Sequence, residues 1–188
     1  MNPKIAMNWK QTFVACSVLL MALTASTTSL AEGKASIDDH ASHALKNFYS
    51  YDPNHQELAG RAAGILVFPQ VTKAGVGIGG EFGEGVLQVN GNTVGYYSVG
   101  GGSIGLTLGV AEHSEVIMFM TQDALDKFTH SKGWKVGADA AVAVVSTGAG
   151  GAYDSGTLKK PILGFAFDEK GLIGDLSLEG SKITKIDK

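Results

Sequence analysis

Residues 64–110 read GILVFPQVTKAGVGIGGEFGEGVLQVNGNTVGYYSVGGGSIGLTLGV, and this stretch decides the fold class. Glycine takes 14 of its 47 positions without a three-residue period, and Val, Ile, Leu and Tyr are interleaved throughout, so that neither collagen nor disorder fits. Asn90-Gly91 predicts a type I′ hairpin turn. Because glycine in strands marks bulges, sharp bends or close backbone approach, we expect a strongly curved, mostly antiparallel sheet or partly closed barrel.

Helical patterns lie on both sides of this stretch. Ser36 and Asp39 have capping-box spacing, and apolar residues then recur at helical intervals to about Tyr51. Asp52-Pro53 predicts the start of a second helix, with Gly64 as its stop. Further along the chain, Thr121 predicts the cap of an internal helix that carries Leu125 and Phe128 and ends by Gly133. Two N-terminal helices and one internal helix are therefore expected.

Short apolar or alternating runs predict the strands. In the glycine-rich stretch and just after it we expect strands at 65–68, 74–78, 86–89, 94–99, 104–110 and 115–120. Residues 135–147 are assigned to a further strand because Ala and Val alternate there, although their alanine content also allows a buried helix. After a glycine-rich loop at 148–157, residues 162–167 and 171–178 predict a closing hairpin. The expected fold class is α+β.

The first 31 residues have the composition of an export signal. Basic Lys4 and Lys10 precede an apolar run from residue 13 to 25, and Ala31 ends a small-residue cleavage site. The apolar run is shorter than the roughly 20 residues that a membrane-spanning helix needs. We expect a signal peptide at 1–31, a single domain at 32–188, and a periplasmic or secreted protein that is peripheral on a membrane.

Charge and cysteine content narrow the possible functions. Without Lys4 and Lys10 the mature chain has 13 basic and 18 acidic residues, a formal charge of −5, which argues against nucleic acid as a partner. Cys16 is the only cysteine, and its position near the start of the apolar run argues against lipidation. The mature chain therefore has no disulfide, cysteine nucleophile or cysteine-bound metal.

Two catalytic motifs occur in the wrong context. Gly75, Gly77 and Gly80 match a dinucleotide-binding pattern, but another strand follows them instead of a helix. Ser103 stands in a G-x-S-x-G pattern, whose downstream half alternates like a strand, although Asp123, Asp126 and His130 provide a nominal acid and base. We expect glycine turns at both places, and a serine hydrolase that uses Ser103 is kept as the weaker alternative.

No other catalytic or metal-binding pattern emerges from the sequence. The five histidines do not have the spacing of a metal site, and we expect neither a metal nor a cofactor. The pairs Glu81 and Glu84, and Glu112 and Glu115, look like strand ends or turn surfaces. We therefore do not expect an enzyme.

Six blocks of the sequence, in their order along the chain, resemble the SYLF domain, also called the Ysc84-type actin-binding or lipid-binding domain. The blocks are GILVFPQVTKAG (64–75), GNTVGYY (91–97), FMTQDALDKF (119–128), WKVGADAAV (134–142), PILGFAF (161–167) and GLIGDLSLEGSKI (171–183). The resemblance implies binding of anionic phospholipids, and of actin in fungal members. For an exported bacterial chain we expect contact with anionic phospholipid head groups at a membrane surface, possible contact with an envelope protein, and no actin.

A head-group site needs cationic groups gathered on one face, with apolar side chains that can enter the interface. The local candidates are three lysines around Trp134, which are Lys127, Lys132 and Lys135, and the pair Lys159 and Lys160. Lys182, Lys185 and Lys188 either extend this patch or form a frayed basic tail. The predicted function is non-catalytic lipid binding, and the alternative is a structural or protein-binding module of the cell envelope.

Overall fold

The computed structural model describes residues 33–145, 156–168, 171–172 and 180–188, without the side chains of 76–78, 103–108, 171 and 172. The predicted signal segment, and most of the loop predicted at 148–157, lie outside these residues. The helices are α1 (Lys34–Tyr51), α2 (Pro53–Arg61), α3 (Gln122–His130) and a 3₁₀ turn (Thr157–Lys159). The strands are β1 (Gly64–Val89), β2 (Asn92–Phe119), β3 (Trp134–Lys135), β4 (Ala143–Val144), β5 (Ile162–Asp168), β6 (Gly171–Leu172) and β7 (Lys182–Ile186).

Within the described residues, the seven strands form one mostly antiparallel sheet that curls into a half-barrel. The expectation of an α+β fold with a strongly curved sheet is confirmed. β1 and β2 pair along almost their whole length as one long hairpin. Its turn is at Asn90 and Gly91, whose φ angles of 50° and 76° are those of the predicted type I′ turn. β7 and then β3 extend the first part of β2, while β5 pairs with its last part.

The six strands predicted from residue 65 to 120 merge into β1 and β2. Glycines that separate the apolar runs in the sequence lie inside continuous strands, where two of them allow the long hairpin to fold over itself. A Cβ atom at Gly83 would lie 2.7 Å from the carbonyl oxygen of Gln70, and one at Gly85 would overlap that of Val67. Close backbone approach, as expected, is therefore one reason for the glycines.

The helix boundaries are partly as predicted. Asp52 caps α2 by accepting a hydrogen bond of 2.8 Å from the Asn54 amide, and Thr121 caps α3. The capping box at Ser36 was wrong, because α1 begins two residues earlier and its N-cap is Gly33, without a side-chain hydrogen bond. Gly64 does not stop α2, which ends at Arg61 because the chain turns extended at Ala62.

The C-terminal third differs more from the prediction. Only residues 143–144 of the strand predicted at 135–147 pair with β5, and 134–135 pair with β7. The closing hairpin is confirmed by the pairing of β5 with β6, while residues 173–178 lie outside the described residues. A frayed tail after residue 181 was wrong, because Lys182–Ile186 forms β7 between β2 and β3.

Two apolar clusters lie on opposite faces of the sheet, which we call the outer and the inner face. On the outer face α1 and α2 cover the residues Val67, Val86, Val116, Met118, Leu163, Phe165 and Phe167. On the inner face α3 and Trp134 pack on the residues Leu66, Phe68, Leu87, Tyr97, Val99, Ile117, Phe119 and Ile183. Among the described residues, no helix has the length and apolar character required to cross a membrane.

Candidate functional site

The predicted site residues divide into two groups at opposite ends of α3. Lys159 and Lys160 lie near Thr121, which caps the start of this helix, and Lys132 and Lys135 follow its end. A nine-residue helix is about 13 Å long. The structure therefore does not gather the predicted lysines into one cluster.

Lys159 and Lys160 line a pocket of about 320 Å³, which we call the basic pocket. Arg61, the last residue of α2, adds a third cation that the sequence analysis missed. The pocket is lined by Arg61, Met120, Thr121, Leu158, Lys159, Lys160 and Pro161. Among the described residues, the lining of this pocket includes three cationic side chains and no carboxylate, so it is suited to an anion.

The fold brings the three cations of the basic pocket together by joining distant segments. The amide of Met120 donates a hydrogen bond of 2.8 Å to the carbonyl of Pro161, which places the 3₁₀ turn beside the end of β2. The amide of Ala63 donates to Phe119 at 2.8 Å and fixes the end of α2 at the same place. Arg61 is separated from Lys159 by almost a hundred positions, and no local sequence pattern indicates that the two residues line the same pocket.

The second group lies on the β3–β7 edge of the sheet. Lys135 and Lys182 are directly paired, so both side chains project from the same face of the sheet. A Cβ atom at Gly133 would lie 2.8 Å from Cε of Lys182, which shows that the Lys182 stem crosses this glycine next to Lys132. We call Lys135 and Lys182, together with Lys132 next to Gly133 in the sequence, the basic cluster.

Trp134 and Lys127 differ from the other predicted site residues. The Trp134 side chain is only 3% exposed and packs edge-on against Phe128 in the inner-face cluster, so it is not available at the surface. Nζ of Lys127 lies 2.8 Å from Oδ2 of Asp123 in an exposed i,i+4 ion pair. Of the six predicted residues, Lys132, Lys135, Lys159 and Lys160 remain as exposed basic residues without an ion pair in the described part of the chain.

The predicted motif residues lie in strands. The backbones of Gly75, Gly80 and Ser103 pair in the β1–β2 ladder, and no helix follows either motif directly. The strand-to-helix turn that a nucleophilic serine requires does not occur at Ser103, whose side chain lies outside the described part.

Two acidic residues were misassigned to the surface. Glu115 is buried near the end of β2, and its Oε1 lies 2.9 Å from Nε2 of the buried His113. Glu81 lies 3.1 Å from Nζ of Lys73 and accepts a hydrogen bond from the hydroxyl of Ser181. Inside the protein, both carboxylates are paired with nearby polar side chains. In the described part of the chain, no group of three or more His, Cys, Asp or Glu residues could hold a metal ion.

Comparison with known proteins gives one family. Residues 100–188 match the model of a family described as Ysc84, Las17-binding protein actin regulator. The match includes the four blocks quoted above from residue 119 onward, while the blocks at 64–75 and 91–97 precede it. No curated protein matches the sequence significantly.

Proposed function

Because residues 100–188 identify the chain as a member of the Ysc84 (SYLF) family, we propose that it binds anionic phospholipid head groups at a membrane surface. The family consists of lipid- or actin-binding modules. The observation that carries the choice of an anionic ligand is the basic pocket, which Arg61, Lys159 and Lys160 line with no carboxylate among the described lining residues.

The basic pocket concentrates positive charge locally, although the net charge of the mature chain is negative. A phosphate group accepts strong hydrogen bonds from guanidinium and ammonium groups. Each lysine near an anionic membrane surface contributes about 1 kcal/mol, so that three cations give measurable binding that falls with ionic strength. The Leu158 and Pro161 side chains at the rim provide apolar contact for the part of the lipid next to the head group.

Vesicle flotation tests this assignment. The purified chain is mixed with phosphatidylcholine vesicles or with vesicles that also contain phosphatidylglycerol, at low and high salt. We expect binding only to the anionic vesicles and loss of that binding at high salt. Reversing both charges with Lys159→Glu and Lys160→Glu should weaken binding by about tenfold or more.

The matched control for the single variant Lys160→Glu is Lys46→Glu, which changes an exposed lysine of α1 by the same charge. A general electrostatic effect would weaken Lys46→Glu and Lys160→Glu equally, and that result would contradict a role of the basic pocket. Equal binding of the unaltered chain to neutral and anionic vesicles would contradict the head-group assignment itself.

A protein-binding module is the second candidate, because the matching family is described as Las17-binding. In that case the chain would capture a protein of the cell envelope and ignore vesicles of both compositions. We place lipid first because the basic pocket has the chemistry of a phosphate site.

We further propose that the chain acts without catalysis and is exported. The strand geometry around Ser103 supports the first proposal, and a fluorophosphonate probe should leave Ser103 unlabelled. The composition of residues 1–31 supports the second. The N-terminus of the protein recovered from the periplasm or medium should be Glu32, and an intact N-terminus in the cytoplasm would contradict export.

A further inference from the structure

Phe82 is the most exposed aromatic side chain among the described residues, with 58% of its surface accessible. It lies in β1 between two residues that face the other side of the sheet. Glu81 pairs there with Lys73, and Gly83 lies against the backbone of Gln70. Within the described residues Phe82 belongs to neither apolar cluster, whereas every other described phenylalanine belongs to one of the two. Its position therefore needs an explanation outside the packing of this domain.

The pairing register connects Phe82 with the basic cluster. Phe82 is paired with Gly100, and Gly100 is paired with Lys182 on its other side. Lys182 is paired in turn with Lys135. Directly paired residues project from the same face, so Phe82, Lys182 and Lys135 stand in one row across four strands. Neighbouring strands are about 4.8 Å apart, which places the two lysines about 10 and 14 Å from Phe82.

Glycine leaves the surface between these side chains free of other side chains. Gly100 separates Phe82 from Lys182, and the neighbouring pair Gly80 and Gly102 is also exposed. Neither ammonium group of Lys135 and Lys182 has an ion-pair partner in the part that the structure describes. We call Phe82, Gly100, Lys135 and Lys182 the sheet-face patch.

We propose that the sheet-face patch docks on a bilayer containing anionic lipid, with the Phe82 ring entering the interface and the lysines contacting phosphates. An aromatic ring in one row with two cations is complementary to a membrane, in which apolar and anionic groups lie in successive layers. The patch is distinct from the basic pocket, and it relies on the proposed function only for the choice of a lipid surface.

Fluorescence of a label at position 82 tests insertion directly. In a full chain carrying Cys16→Ser, Phe82→Cys is labelled with an environment-sensitive fluorophore and mixed with phosphatidylglycerol-containing vesicles. We expect a blue-shifted emission that a quencher attached to the lipid acyl chains reduces. The matched control is Val94→Cys, which is 53% exposed and lies near the hairpin turn, where we expect no quenching. Equal quenching at both positions, or none at position 82, would overturn the proposal.

A label is itself apolar, so an unlabelled variant provides the second measurement. Phe82→Ser should lower the affinity for the same vesicles by about tenfold, while Val94→Ser leaves it unchanged. Both variants change exposed side chains and should keep the melting temperature of the parent chain. Unchanged affinity of Phe82→Ser, with preference for anionic vesicles intact, would refute the sheet-face patch and leave the basic pocket in place.

A second copy of the chain, instead of a membrane, could cover the sheet-face patch, and the molecular mass in solution distinguishes these two cases. We expect the same mass for the parent and for Phe82→Ser. A parent dimer that becomes a monomer in Phe82→Ser would make the patch an interface between copies and contradict docking on a bilayer.

Vesicle binding of two variants compares the two candidate surfaces. Normal binding of Phe82→Ser together with weak binding of Lys160→Glu would contradict the sheet-face patch and support the basic pocket alone.

Discussion

The open end of the β1–β2 ladder, opposite the hairpin turn, differs from the middle of the ladder in what covers it. Near residues 64–68 and 115–119 both faces of the sheet are buried, the outer face under α1 and α2 and the inner face in the core with α3. In the middle, around residues 80–82 and 100–102, the outer face is exposed. The same two strands therefore provide structural stability in one region and a free surface in another.

The difference follows from the residues available for burial. The covered region has large apolar side chains on both faces. The helices that pack on each face remove these side chains from water, which stabilises the fold. The uncovered region has Gly80, Gly100 and Gly102 at its outward positions, which expose little apolar area, and Phe82 is the exception. We infer that helix coverage, rather than pairing between strands, separates the stabilising region from the candidate binding surface.

The largest expected effect is that of a side chain at Gly85. A Cβ atom there would overlap the Val67 carbonyl oxygen, and backbone atoms cannot move aside as a flexible side chain does. We expect Gly85→Val to destabilise the protein by more than about 4 kcal/mol or to prevent folding. Gly102→Ala in the uncovered region meets nothing within 4 Å and should change stability little. Urea unfolding followed by circular dichroism compares the two, and equal losses would contradict the comparison.

Core truncation should give the next largest difference. Phe165 is fully buried in the outer-face cluster, with its ring centroid 4.9 Å from that of Phe48. Phe165→Ala should cost about 3–5 kcal/mol, because it removes buried apolar surface and leaves a cavity. Val110 is 72% exposed, and Val110→Ala should cost less than about 0.5 kcal/mol. If both variants unfold at similar urea concentrations, the outer face is not divided as we describe.

Protonation of His55 should produce a smaller, pH-dependent effect. Its ring stacks on Phe48 at 4.0 Å in the covered region, and burial lowers the pKa of His55 below its ordinary value. The unfolded chain therefore binds this proton more readily, so stability should decrease as the pH falls through about 6.5 and stay constant above that range. Unfolding in urea at several pH values measures this slope.

The variant His55→Phe keeps a stacked ring and removes the titrating group. Its stability should therefore depend less on pH than that of the parent chain between neutral and mildly acidic conditions. His43→Gln, at an exposed position of α1, should retain the slope of the parent. An unchanged slope in His55→Phe would show that other groups cause the loss of stability in acid.

Local features of the fold were predictable from the sequence, and contacts between distant segments were not. Asp52-Pro53, Thr121 and Asn90-Gly91 act through neighbouring residues, and the structure confirms the cap or turn that each predicts. The merging of six short strands into two was missed, because a glycine that ends a strand and one that lets two backbones touch look alike in a sequence. Contacts in the folded chain, such as those of Gly83 with Gln70 and of Gly85 with Val67, distinguish them.

The candidate site shows the same limit. Lys159, Lys160 and Lys135 were identified from composition, since lysines near turns are exposed and therefore available. Arg61 was missed because it joins the basic pocket through the fold, and Trp134 was included because adjacency in sequence suggested a shared surface. In a strand, however, successive side chains point to opposite faces, so Lys135 is exposed and Trp134 is buried.

The smallest expected effect is that of replacing Lys127. This residue tests whether an exposed lysine that is already paired with an acid can still bind a head group. Its ammonium group is exposed but is paired with Asp123, and exposed i,i+4 pairs stabilise a helix by only about 0.3–0.5 kcal/mol. Lys127→Ala should therefore change the unfolding free energy by less than about 0.5 kcal/mol. It should also weaken binding to anionic vesicles less than Lys160→Ala does, because Lys127 does not line the basic pocket and its ammonium group is already paired with Asp123. Flotation of both variants provides the measurement. A larger loss for Lys127→Ala would move the head-group contact from the start of α3 to its exposed side.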